Sequence, residues 1–115
     1  MARAFNLAGA DTKILVLQNR TQDQLTESLE LLAKSTDPAV KMLWLGDKLA
    51  NLRALRRAHD ELGQAAFDRF NTHDPLAHKW YYGTILELLK DLSAYGAYRE
   101  YEACFHAVFD TYTND

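Results

Sequence analysis

Asp47 and Asn51 lie four residues apart in the stretch Leu45-Gly46-Asp47-Lys48-Leu49-Ala50-Asn51-Leu52-Arg53. On an α-helix that spacing stacks one side chain a turn above the other. A carboxylate there could ligate a metal ion, and an amide one turn on could orient a polar ligand. Lys48 and Arg53 could reach an anion held beside them. At 100° per residue, Val40, Leu43, Trp44, Ala54, Leu55 and Ala58 form one apolar arc with Asp47 and Asn51 at its centre. An acid inside a core-facing arc is costly unless it is paired or bound to a metal. Breaks of this kind concentrate at functional or strained sites. If Asp47 has no such partner, Asp47→Asn or Asp47→Leu should be neutral or stabilising.

The elements around this stretch read as helices. Thr21 and Gln24 have the spacing of a capping box and predict a helix with Leu25, Leu29 and Leu32 on one face, ending near Ser35. Asp37-Pro38 is a restart, Asp as N-cap and Pro at the first helical position. It opens a helix from Pro38 to about Ala58. Gly63 marks a break, Gln64 to Phe70 a short helix, and Asp74-Pro75 a second restart. The following helix runs to about Leu92, with Trp80, Tyr81, Ile85, Leu88, Leu89 and Leu92 facing inward in part. Ser93 to Gly96 is a turn. Tyr98, Tyr101, Phe105, Val108, Phe109 and Tyr112 form the stripe of a last helix. The class is therefore all-α, with about five helices in one domain spanning 1–115. Residues 1–12 are weakly patterned, and the Ile14–Leu17 run fits helix or strand alike.

Composition narrows the function classes. The net charge of −3 supplies no overall basic field for nucleic acid or an anionic membrane. No apolar run reaches membrane-span length, and the start lacks a signal-peptide core. The single cysteine, Cys104, excludes an internal disulfide and suits the cytoplasm.

Val40-Lys41-Met42-Leu43-Trp44-Leu45-Gly46-Asp47-Lys48-Leu49-Ala50-Asn51-Leu52-Arg53 resembles the final motif of HD-domain phosphohydrolases of the RelA/SpoT-like kind, which include the guanosine tetraphosphate hydrolases. Phe70-Asn71 with Trp80-Tyr81-Tyr82, and Tyr98 to Phe109, are similar to later stretches of the same group, so the likeness covers roughly Ile14 to Asp110 and makes residues 13–112 the C-terminal half of such a domain. The resemblance implies an all-α bundle holding one divalent ion, usually Mn2+, through an early His, a His-Asp dipeptide and a late Asp. A metal-bound water then attacks a phosphoryl group. Asp47 matches the late metal-binding Asp, Asn51 matches the Asn that contacts the nucleotide, and Lys48 and Arg53 would steer phosphate. No His precedes Asp47 here, and the acidic pair that assists catalysis is absent. The expectation is a partial phosphohydrolase, inactive alone and holding no metal by itself, with no catalytic residue assigned. It would act on a guanosine tetraphosphate-like nucleotide only with a partner supplying the missing half. The alternative is a non-catalytic interaction or oligomerisation module. In either case the apolar first half of the central helix predicts self-association or a partner.

The remaining chemistry-bearing residues have plainer readings. His59-Asp60 lies 12 residues beyond Asp47, roughly 18 Å along a continuous helix, and reads as an exposed helix end. Asp74 serves better as N-cap than as a metal ligand with His78. Arg53, Arg56 and Arg57 suit a solvated helix end. Trp80, Tyr81 and Tyr82 fit a core better than a base-stacking platform. His106 reads as a surface residue and Cys104 as a packing residue.

Overall fold

The computed structural model describes residues 22–70 and 72–113. Four α-helices span this range: α1 (Gln22–Lys34), α2 (Pro38–Leu62), α3 (Pro75–Leu88) and α4 (Gly96–Phe109). Two 3-10 segments, Gly63–Arg69 and Lys90–Leu92, occupy the joints after α2 and α3. No strand occurs among the described residues, so the fold is all-α. The Ile14–Leu17 run, the Thr21 cap and Asn71 lie outside the described residues.

Both Asp-Pro restarts work as caps. Asp37 Oδ1 accepts from Ala39 N at 2.9 Å, and Asp74 Oδ1 accepts from Leu76 N at 3.0 Å. In each case the proline that follows needs no donor of its own at the first helical position. The far end of α2 is set by Gly63. Its φ of 62° suits glycine, and its N–H bonds to His59 O. The helix therefore runs through Leu62, four residues past the expected end at Ala58.

In α1, Leu25, Leu29 and Leu32 are buried on one face, as their spacing predicts. In α2 the inner face differs from the expected arc. Leu45, Leu49 and Leu52 carry the core through the first turns, and Asn51, Ala54 and Leu55 join it further along. Val40, Met42 and Leu43 are exposed, Leu43 to 73%. Within the expected arc Trp44 and Asp47 are half-buried, and burial is complete at Asn51, Ala54 and Leu55. Among the described elements, α2 packs chiefly on α4 and on the Gly63–Arg69 segment, which lie against its second half.

Aromatic rings from three elements close the core. Phe109 of α4 has its ring centroid 5.2 Å from Phe105, 6.1 Å from Phe67 and 6.2 Å from Tyr82. Tyr101 Oη donates to Tyr82 O at 2.7 Å, and Tyr98 Oη donates to Leu86 O at 2.8 Å, which fixes α4 along α3. The expected stripe of α4 is buried from Tyr98 to Phe109. Tyr112 lies past the helix end and is half-buried. α3 stops at Leu88 rather than near Leu92, and the tighter turn of Lys90–Leu92 brings Leu92 into the core. Trp80 stands on the outer side of α3, while Tyr81 and Tyr82 are fully buried.

Gly46 occupies an exposed site in the middle of α2, where an added Cβ would meet no atom within 4 Å. Gly46→Ala should therefore raise unfolding stability by about 0.5–1 kcal/mol through the lower helical cost of alanine. Urea denaturation reads this directly, and a loss of stability would show that the position is crowded.

Candidate functional site

Asp47 opens into a cleft of about 360 Å³ bounded by Ser28 of α1, Leu43, Trp44, Asp47 and Lys48 of α2, and Tyr81 of α3. The cleft lies beside exposed Leu43 in the first half of α2. Its walls are mostly aromatic and aliphatic, and its polar groups converge from two helices. That combination suits a small ligand with an apolar body and a polar edge.

The Asp47 side chain is 36% exposed, and its Oδ2 lies 3.3 Å from Lys48 Nζ. The expectation of a deeply desolvated acid is thus corrected. Asp47 sits on the rim of the apolar arc, within reach of water and of an ammonium group. The Lys48 stem is covered, and Nζ lies 5.2 Å from the centroid of the Trp44 ring. Its charge therefore bridges the carboxylate and an aromatic face. With Asp47 so placed, the premise for a stabilising Asp47→Leu change no longer holds.

Two buried polar atoms lie outside the cleft lining, one on α2 and one on α3. Asn51, one turn beyond Asp47, is 1% exposed, and its Oδ1 has no hydrogen-bond partner. Tyr82 Oη is likewise buried without a partner. Burial holds the Tyr82 phenol well above its ordinary pKa, and Tyr81 and the Asp47 carboxylate push it the same way. Both orphan atoms forgo a hydrogen bond that water would supply to the unfolded chain.

Arg53 does not line this cleft. Its Nε and Nη2 each donate to the Glu100 carboxylate at 2.6 Å, tying α2 to α4. The hydrogen bond first, and the opposite charge second, raise the Arg53 pKa and lower that of Glu100. The structure thus brings Asp47 and Lys48 together at the cleft, buries Asn51 one turn on without placing it in the cleft lining, and turns Arg53 to another partner. Trp44 and Tyr81 are cleft walls that periodicity alone assigns to the core. Ser28 carries no sequence signal for the role.

The other chemistry-bearing groups fall elsewhere. His59 Nε2 shares a 2.7 Å hydrogen bond with Tyr112 Oη, and its ring meets Phe67 and Tyr112 edge-on. It is half-buried rather than an exposed helix end, whereas Asp60 is exposed. His106 Nδ1 pairs with Asp110 Oδ1 at 2.7 Å on the surface. Cys104 is buried, 3.9 Å from Arg56 Nη1. Trp80 borders a shallower groove with Lys79, Gly83, Glu87, Leu88 and Phe105 on the outer side of α3.

A divalent ion needs several oxygen or nitrogen ligands. At the cleft the described residues offer one carboxylate, and an ammonium group stands beside it. No group of three His, Cys, Asp or Glu side chains among the described residues could hold a metal ion. The donor set present does not fit Mn2+. No helix among the described residues is long and apolar enough to cross a membrane. Comparison with known proteins returns no matching family model, no matching curated protein and no matching solved structure.

Proposed function

We propose that this chain forms the late half of an HD-type phosphohydrolase fold and supplies one wall of a nucleotide site. The cleft at Asp47 carries the reading, because it gathers Asp47, Lys48, Trp44 and Tyr81 around a space of small-ligand size. In this reading Lys48 neutralises phosphate, the Trp44 and Tyr81 rings flank the apolar part of the ligand, and Asp47 accepts from its polar edge or joins ligands from a complementary half. Asn51 supplies a buried acceptor one turn on. Arg53 supports the wall through Glu100. Hydrolysis requires the complement, since the described residues do not provide a metal site.

The test is manganese-dependent hydrolysis of guanosine tetraphosphate. One arm uses the chain alone. The other adds a polypeptide carrying the missing His and His-Asp motifs. No turnover is expected alone, and turnover is expected on mixing. Equal turnover in both arms would overturn the need for a complement.

A second reading, a non-catalytic self-associating module, draws on a different observation. Leu31, Val40, Met42 and Leu43 are exposed on α1 and α2, Leu31 to 71%. Absence of nucleotide binding, together with a light-scattering mass that rises with concentration, would favour it.

A further inference from the structure

His78 is the buried titratable side chain that the cleft does not use. It is 1% exposed, in the first turns of α3, and its imidazole packs against two phenyl rings. The centroids of Phe67 and Phe70 are each 5.0 Å away. Nε2 lies 2.9 Å from the carbonyl oxygen of Thr72. A carbonyl only accepts, so Nε2 carries the proton of the neutral ring. Nδ1 is then a bare acceptor, and it is buried with no hydrogen-bond partner.

From this geometry we infer that His78 is an acid-operated latch holding the Gly63–Arg69 segment and Phe70 against the start of α3. The neutral ring packs against Phe67 and Phe70 and ties down Thr72. A protonated ring would place a second N–H, and a full charge, in a cage with no acceptor at Nδ1. The N-terminal end of the α3 dipole adds positive potential at the same place. Opening the joint hydrates the cation.

The surrounding charges do not reverse this balance. Asp74 on the same helix favours the cation, but its Oδ1 is engaged at the cap by Leu76 N. Asp68 on the 3-10 segment and His73, between Thr72 and Asp74, are both exposed. Across Phe67 stand His59 and Tyr112, already bonded to each other. Lys79, the next residue along α3, donates to Tyr112 O at 2.6 Å. Burial pushes the His78 pKa below its ordinary 6.5, outweighing the Thr72 bond and the Asp74 charge, both of which raise it.

The sign follows from linkage. The open joint binds a proton near the ordinary value, and the closed joint only at lower pH. Closure is fully stable above 6.5 and weakens as pH falls toward the folded pKa. Within that window the open fraction should rise by at most about tenfold per pH unit, the limit for one proton.

Amide hydrogen exchange of the whole chain between pH 7.5 and 5, corrected for intrinsic rates, reads the opening at Phe67–Phe70 and at Ala77. NMR of the imidazole nitrogens reads the tautomer and midpoint of His78. The expected result is a neutral Nε2–H ring, a midpoint below 6.5 and opening that rises with acid. His78→Gln keeps a donor for Thr72 O and should flatten the pH dependence, whereas His59→Gln should leave it intact. Undiminished acid opening in His78→Gln would overturn the latch. Should that variant not fold, an Nδ1–H tautomer or an ordinary midpoint in the unaltered chain would overturn it equally.

Discussion

Phe109→Ala is expected to lower unfolding stability by about 3–5 kcal/mol, the loss typical of truncating a buried aromatic side chain. The ring is fully buried and meets Phe67, Tyr82 and Phe105, so one substitution opens a void shared by α3, α4 and the segment after α2. None of these rings can refill the space without giving up its own packing. Single domains have a total stability of about 5–15 kcal/mol, so the variant should sit close to its unfolding threshold. Urea titration should show the midpoint falling with little change in slope. A loss below about 1 kcal/mol would mean that the three rings do not converge on Phe109.

Tyr82→Phe and Tyr101→Phe remove the same atom from two fully buried tyrosines and should act in opposite directions. Tyr101 Oη donates to Tyr82 O at 2.7 Å, so its removal gives up a made hydrogen bond at a cost of about 0.5–1.5 kcal/mol. Tyr82 Oη is buried without a partner. Its removal relieves a desolvated hydroxyl, with a gain of up to about 1–3 kcal/mol. Burial raises the pKa of both phenols, so neither ionises near neutral pH and the contrast rests on hydrogen bonding. Paired thermal melts decide it. A clear loss in Tyr82→Phe would show that the hydroxyl is satisfied.

The punctuation of the fold was legible in the residues themselves. Asp37-Pro38 and Asp74-Pro75 start helices because an Asx cap and a proline act locally, whatever packs around them. Gly63 ends α2 for the same kind of reason. The rotation of α2 about its axis was not legible. Two apolar stripes compete on it, and tertiary packing rather than local pattern decides that Leu45 and Leu49 turn in while Leu43 turns out. Asp47 stood out because a polar break in an apolar arc is a local signal, and Lys48 is its neighbour in the chain. The departure of Arg53 toward Glu100 depends on a helix far along the chain, and no local pattern announces it. His78 was hidden for a related reason. A histidine becomes a buried neutral ring only through neighbours such as Phe67 and Phe70.

The dependence of α2 on α4 has a consequence for how the chain is made. Arg53 and its partner Glu100 are 47 residues apart, and the aromatic stripe that covers the second half of α2 lies beyond the same interval. At a synthesis rate of 5–20 residues per second, that interval takes roughly 2–9 s. Throughout it, Leu52, Ala54 and Leu55 lack the part of their cover that α4 supplies. α2 can only form provisionally during translation, and its docking waits for residues close to Phe109. Growing chains stalled before α4 should therefore be sticky and protease-sensitive, and a holdase that grips short apolar helices would find its target there.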